Sequence, residues 1–156
     1  MVRRKPIKRF FSWLTSSIKR HLSPVFLRPR IHHGKNVKFE RQIFYYVNKE
    51  RKKHGIRLLN WNDSLYYDGQ RRAKEITRVF CHKNIPNGCG ENIAKIPLGK
   101  VRGVGFINRT NLAHSFVNTW MKSTGHRENI LRLNYSSSCI GVVKHGRYFY
   151  AVQLFS

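Results

Sequence analysis

After residue 38 the apolar positions fall first on a helical period. Ile43, Phe44, Tyr46 and Val47 lie within one helical turn pattern, which stops at His54-Gly55. The next stretch reads GIRLLNWNDSLYYDGQRRAKEITRVF. Asn62, Asp63 or Ser64 is placed to cap a second helix. Leu65, Gly69, Ala73, Ile76 and Phe80 form its predicted buried stripe, and Arg71, Arg72 and Lys74 are expected to face away. Residues 81–110 hold Pro86, Gly88, Gly90, Pro97, Gly99, Gly103 and Gly105 and read as irregular. A third helix is predicted from about Asn111, with Leu112, Phe116 and Trp120 on one face, and a short fourth helix after Gly125.

The pattern then changes period. CIGVVKHGRYFYAVQLF holds two β-rich runs around His145-Gly146. Gly146 supplies a positive φ for a tight turn, and histidine tolerates that region better than most residues, so a β-hairpin is predicted. The second strand carries apolar groups on both faces. That suits a central strand with helices on each side.

Residues 1–38 differ from everything that follows. They hold 11 of the 31 Lys and Arg residues and none of the seven acids. Ile7, Phe10, Phe11, Leu14, Ile18 and Leu22 lie on one helical face, with basic residues largely around them. Such a basic amphipathic helix is expected to lie on an anionic membrane surface. Its rivals are a signal-sequence remnant, with no small-x-small cleavage site after it, and an arm that binds nucleic acid through phosphates. Pro24 and Pro29 make residues 23–38 a linker. The expected organisation is a basic tail over residues 1–38 and one domain over residues 39–156.

The whole chain has 156 residues and a net charge of +24, which attracts polyanions of any kind. No run of about 18 apolar residues occurs, so no segment reads as a membrane-spanning helix. Cys81, Cys89 and Cys139 are an odd set, so at most one intrachain disulfide forms, and the pairing stays open.

Three segments carry candidate chemistry: FCHKN with His82, CGENIA with Glu91, and TWMKSTGHRENIL with His126. Each lies in a glycine-containing loop or at a helix end, where a side chain is readily aimed at a cleft. Two imidazoles and a carboxylate suit a divalent metal such as zinc. They equally suit acid–base work near neutrality. Asn92 and Asn129 are expected to bond their own loop or helix-end backbone. His32, His33, His54 and His114 read as solvated, and Trp61 and Trp120 as core. GKVRGVG reads as a flexible loop over the cleft rim, since no strand precedes it and no GK[ST] ends it.

The order of these segments carries a resemblance. HGIRLLNWNDSLYYDGQRRAKEI, then CH, GENIA, WMKSTGHRENIL, CIGVV and RYFYAVQLF, resembles the CAP superfamily over about residues 40–156. That superfamily groups cysteine-rich secretory, antigen 5 and pathogenesis-related proteins, also called SCP-like domains, and the likeness is to its prokaryotic branch. The resemblance implies an α+β fold, a three-layer α-β-α sandwich around a central antiparallel sheet. It also implies a cleft with two histidines and two acids. His82, Glu91 and His126 match three of them. The second acid falls three residues after Trp120, where this chain has Ser123. Loss of that carboxylate lowers the expected affinity for a cation. Glu128, two residues beyond His126, is expected at the surface.

The function expected from the resemblance is an extracytoplasmic or membrane-associated binding domain, with His82, Glu91 and His126 lining a cleft for a divalent cation, a lipid or a small ligand. A hydrolase in which His126 or Glu91 activates water is the alternative. A third reading is sequence-independent association with nucleic acid through the basic surface.

Overall fold

The computed structural model describes residues 36–98 and 109–156. Residues from 36 onward fall in one compact unit. The expected amphipathic tail helix and the GKVRGVG segment lie outside the described residues.

Helix α1 spans Val37–Lys53 and buries Phe39, Glu40, Ile43, Val47 and Arg51. These recur mostly at three- and four-residue intervals, so they form one stripe. Gly55 ends the helix region at φ +68°. A two-residue strand β1, Asn60–Trp61, leads into α2, Asp63–Glu75. Asn62 caps α2, its side chain accepting from the Leu65 amide at 2.9 Å. Strand β2 runs Gly90–Pro97, helix α3 Arg109–Lys122 and helix α4 Thr124–Leu131. Strands β3, Ser137–His145, and β4, Tyr148–Phe155, close the chain as a hairpin. Gly146 takes φ +54° at the turn, while His145 keeps a negative φ.

The sheet order is β1-β3-β4-β2. The β3–β4 and β2–β4 pairs are antiparallel, and the short β1 joins β3 in parallel. One face packs on α1, α3 and α4, around Ile43, Phe116, Trp120, Ile130, Ile140 and Phe155. The opposite face packs on α2, around Tyr66, Ala73, Ile76, Val152 and Leu154. This is the three-layer α-β-α sandwich, and β4 is covered on both faces as its pattern requires. Helix α2 approaches β3 closely at Gly69 and Gly141. A Cβ on Gly141 would collide with the Gly69 backbone.

Three expectations change. Arg72 does not face away. It is 2% exposed, beneath α2. Counting from Leu65, the stripe runs 65, 69, 72, 76, so position 72 belongs to the buried face by period. Phe80, expected in the stripe, lies beyond the end of α2 and is 43% exposed. Residues 81–110 are not wholly irregular, since GENIAKIP forms β2. Glu91 and Asn92 are polar yet buried, which breaks the usual alternation and hides the strand.

Candidate functional site

Strand β2 lies at the edge of the sheet, beside β4. Successive strand residues point to opposite faces. Glu91 therefore points toward the α2 layer and Asn92 toward the α4 layer, and each organises one histidine.

On the α2 side, Arg72 grips Glu91 with two hydrogen bonds. Its Nε donates to Oε2 at 2.7 Å and its Nη2 to Oε1 at 3.1 Å. The side chains are 2% and 0% exposed, respectively. The same guanidinium donates from Nη1 to Glu75 at 2.7 Å and from Nη2 to the Cys81 carbonyl at 3.0 Å. Burial works to lower the Arg72 pKa, but the hydrogen bonds to Glu91 and Glu75 outweigh it and hold it above the ordinary value. The fork thus neutralises the motif carboxylate and fixes the backbone just before His82.

His82 Nδ1 lies 3.0 Å from Glu91 Oε1. A carboxylate only accepts, so Nδ1 is the nitrogen that donates to it. A carboxylate behind a histidine that leaves the far nitrogen free is the arrangement that orients metal-binding imidazoles.

On the α4 side, Asn92 Nδ2 donates to the His126 carbonyl at 3.0 Å. Asn129 Nδ2 donates to the Asn92 side-chain oxygen at 3.0 Å and to the Glu91 carbonyl at 3.3 Å. The two asparagines therefore tie α4 to β2, in place of the expected bonds to their own backbone. His126 sits in the first turn of α4, and its ring centre lies 5.9 Å from that of His82. Its Nδ1 is buried with no hydrogen-bond partner. Burial, and then the neighbouring His82, lower the His126 pKa, with Glu91 opposing, so a neutral ring is favoured.

The structure thus gathers His82, Glu91 and His126 at one edge, although they are far apart in sequence. Ser123 stands at the N-cap of α4 without a side-chain capping bond. Glu128 is exposed, as are His54 and His114. Trp120 is core and Trp61 half-buried. Cys81, Cys89 and Cys139 are free thiols. The residue the sequence reading missed is Arg72, and its place on the buried period was the available signal.

A divalent metal at this site would have two imidazoles to bind, fewer than the three or four protein ligands of a usual zinc site. Two imidazoles on one tetrahedral zinc, at Zn–N bonds of about 2.0–2.1 Å, hold their ring centres roughly 5 Å apart. The orphaned His126 Nδ1, and on His82 the nitrogen that does not face Glu91, would be the ones to hold it. Both Glu91 oxygens already accept hydrogen bonds, from Arg72 and from His82. Among the described residues no group of three or more His, Cys, Asp or Glu side chains is arranged to hold a metal ion.

A model of the cysteine-rich secretory protein family, CAP, matches residues 44–155. The uncharacterized protein YkwD of Bacillus subtilis (strain 168) is 26% identical over 113 residues, covering 69% of this chain and 44% of that protein. The chain thus spans less than half the length of this curated relative. Two solved structures share the fold. NaASP2 with Zn2+ has a TM-score of 0.61 at 13% identity, over 76% of this chain and 80% of its own. An outer surface protein from Borrelia burgdorferi has a TM-score of 0.58 at 16% identity, over 80% of this chain and 96% of its own. The sandwich, the edge-strand GEN segment and the family match over most of the chain lead to one assignment: this protein belongs to the CAP family, the cysteine-rich secretory protein family.

Proposed function

We propose that this chain is an extracytoplasmic CAP binding domain whose cleft holds a divalent cation or a small polar ligand between His82 and His126. The observation that carries this reading is the pairing of the two rings at 5.9 Å, with His126 Nδ1 buried and unpartnered. A buried nitrogen without a partner is costly unless something binds it. When bound, a divalent cation supplies positive charge that polarises whatever completes its coordination. The chain's own residues hold the site in shape. Glu91 and Arg72 orient His82, and Asn92 and Asn129 hold His126. One structural neighbour bears Zn2+ in its description and another is described as an outer surface protein, which supports both parts of the proposal.

The hydrolase reading is weaker on one specific observation. The Glu91 side chain is fully buried and already accepts three hydrogen bonds, so it is poorly placed to take a proton from water. Residues 1–38 are proposed to bias the domain toward an anionic membrane surface, and the +24 charge toward polyanions generally, including nucleic acid. A lipid remains a candidate for the small ligand.

The test is metal content of purified protein after loading with Zn2+, compared with His82→Ala and His126→Ala. Loss of bound metal in both variants is expected. Unchanged content in both would reject the site.

A further inference from the structure

The sheet carries a second surface, at the far end of β2 from Glu91. Strand alternation puts Ile93, Lys95 and Pro97 of β2, Tyr148, Tyr150 and Val152 of β4, and Gly141, Val143 and His145 of β3 on the face that packs against α2. Helix α2 covers the row Ile93–Val152–Gly141, where Gly69 meets Gly141. The next two rows, Lys95–Tyr150–Val143 and Pro97–Tyr148–His145, run on to the hairpin turn. Lys95, Pro97, Tyr148 and His145 are exposed there. Phe80, from the segment after α2, leans onto this shelf, its ring centre 6.4 Å from that of Tyr150. Lys95 stands four strand residues beyond Glu91, roughly 13 Å along the strand.

We propose that this shelf, built by Phe80, Lys95, Tyr148 and Tyr150, is a contact through which the folded domain rests on an anionic lipid bilayer. It stands on observations separate from the histidine cleft. It also gives the domain a membrane contact of its own, beside the one proposed for residues 1–38.

The first observation is charge without counter-charge. The segments that build the shelf, residues 76–85, 93–98 and 143–150, hold Arg78, Lys83, Lys95, Lys144 and Arg147 and no acid. Among the described residues no carboxylate lies within ion-pair distance of Lys95. The same segments expose the apolar side chains of Val79, Phe80, Leu98 and Tyr148. A surface charged in this way repels a second copy of itself. It equally repels the acid-free tail with its 11 Lys and Arg. Its partner is therefore anionic.

The second observation decides between anionic partners. Lys95 Nζ lies over the Phe80 ring, 5.3 Å from its centre, and over the Tyr148 ring, 5.7 Å from its centre. The ammonium thus takes up the negative faces of both rings. Single-stranded nucleic acid binds aromatic surfaces by stacking bases on such faces. The shelf offers ring edges and cations instead. Aromatic bodies beside lysines suit the headgroup region of a bilayer, where rings enter the interface and cations meet lipid phosphates.

Lysine acylation of the full chain reads the contact at the residue itself. The chain is bound to vesicles of phosphatidylcholine and phosphatidylglycerol, acetylated briefly, and digested for mass spectrometry. Lys95 should be protected on these vesicles and should react as in free solution beside pure phosphatidylcholine. Lys49, exposed on α1 in the opposite layer, should stay reactive with both. Lys95→Glu should weaken cosedimentation with the anionic vesicles roughly twentyfold, since the reversal removes two charges' worth of attraction. Phe80→Ser should weaken it as well, and Lys49→Glu far less. Phe80 and Lys95 are both exposed, so these variants are expected to fold, and the acylation needs no variant.

A vesicle-bound chain in which Lys95 still reacts freely would overturn the proposal. If Lys5, Lys8 and Lys19 are then protected, the tail reading stands without the shelf. Protected Lys95 with reactive tail lysines would support the shelf and reject the tail. Protection of Lys95 by oligothymidylate and not by vesicles would overturn the proposal in favour of nucleic acid. A chain that does not bind the anionic vesicles would reject shelf and tail together.

Discussion

Arg72 Nε and Glu91 Oε2 are 2.7 Å apart in the interior, joining a helix and an edge strand across 19 residues of sequence. This pair links the α2 layer to the sheet at the site itself. Truncating one member leaves the other buried and unpaired. Arg72→Met or Glu91→Gln should therefore each lower unfolding stability by about 3–5 kcal/mol. The double variant should lose clearly less than the sum. Urea denaturation of the four proteins measures this, and additive losses would show that the two groups are not coupled.

Asn129 bonds both the Asn92 side chain and the Glu91 carbonyl. Asn129→Ala should cost about 1–3 kcal/mol, since it strands buried acceptors. The more telling change is local. The ring resonances of His126 should shift or broaden, while those of exposed His114 stay fixed. A His126 signal identical to wild type would mean that the asparagine clamp does not position α4.

The lowered His126 pKa gives a signed pH dependence for the metal-free protein. The folded state takes up this proton less readily than the unfolded chain. Stability from this group is thus fully present above the unfolded value of about 6.5 and is lost as pH falls through the folded value. Thermal midpoints between about pH 7 and about pH 5 should fall more steeply for wild type than for His126→Gln. Equal slopes would remove His126 from the account.

Arg51 is fully buried and has carbonyl partners. It donates to the backbone oxygens of Arg57, Ile130 and Arg132 at 2.8, 2.7 and 2.9 Å, and to that of Tyr135 at 3.3 Å. It thereby staples α1 to the segment just after it, to the last turn of α4 and to the chain that follows α4. Burial and the nearby Arg57 lower its pKa. Arg51→Lys keeps the charge but loses the fork, so it should still cost about 2 kcal/mol or more in urea unfolding. A neutral Arg51→Lys would show that the fork geometry is dispensable.

Burial pushes the Cys139 thiol up to about 12. Alkylation of the native protein near pH 8 should spare Cys139 and modify Cys81, which is partly exposed. Mass spectrometry of tryptic peptides reads this directly. Rapid native labelling of Cys139 would contradict its place against α2 beside Gly69.

Much of the fold was legible in the chain. The stripes of α1, α2 and α3 come from local helical periodicity, and the hairpin from two β-rich runs around Gly146. Both are short-range effects that do not need the rest of the molecule. Strand β2 was less legible, because its first polar residues serve the site rather than the core pattern.

The sequence by itself supplied the candidates, two histidines and one motif glutamate, with a serine where the resemblance expects a second acid. Only the tertiary structure decided what the glutamate does. Its partner Arg72 lies on a helix in another layer, and burial turns that meeting into a bidentate pair. Burial of this kind depends on how layers pack across the chain, so a charged residue read from its own neighbours looks solvent-facing until the edge strand is laid beside it.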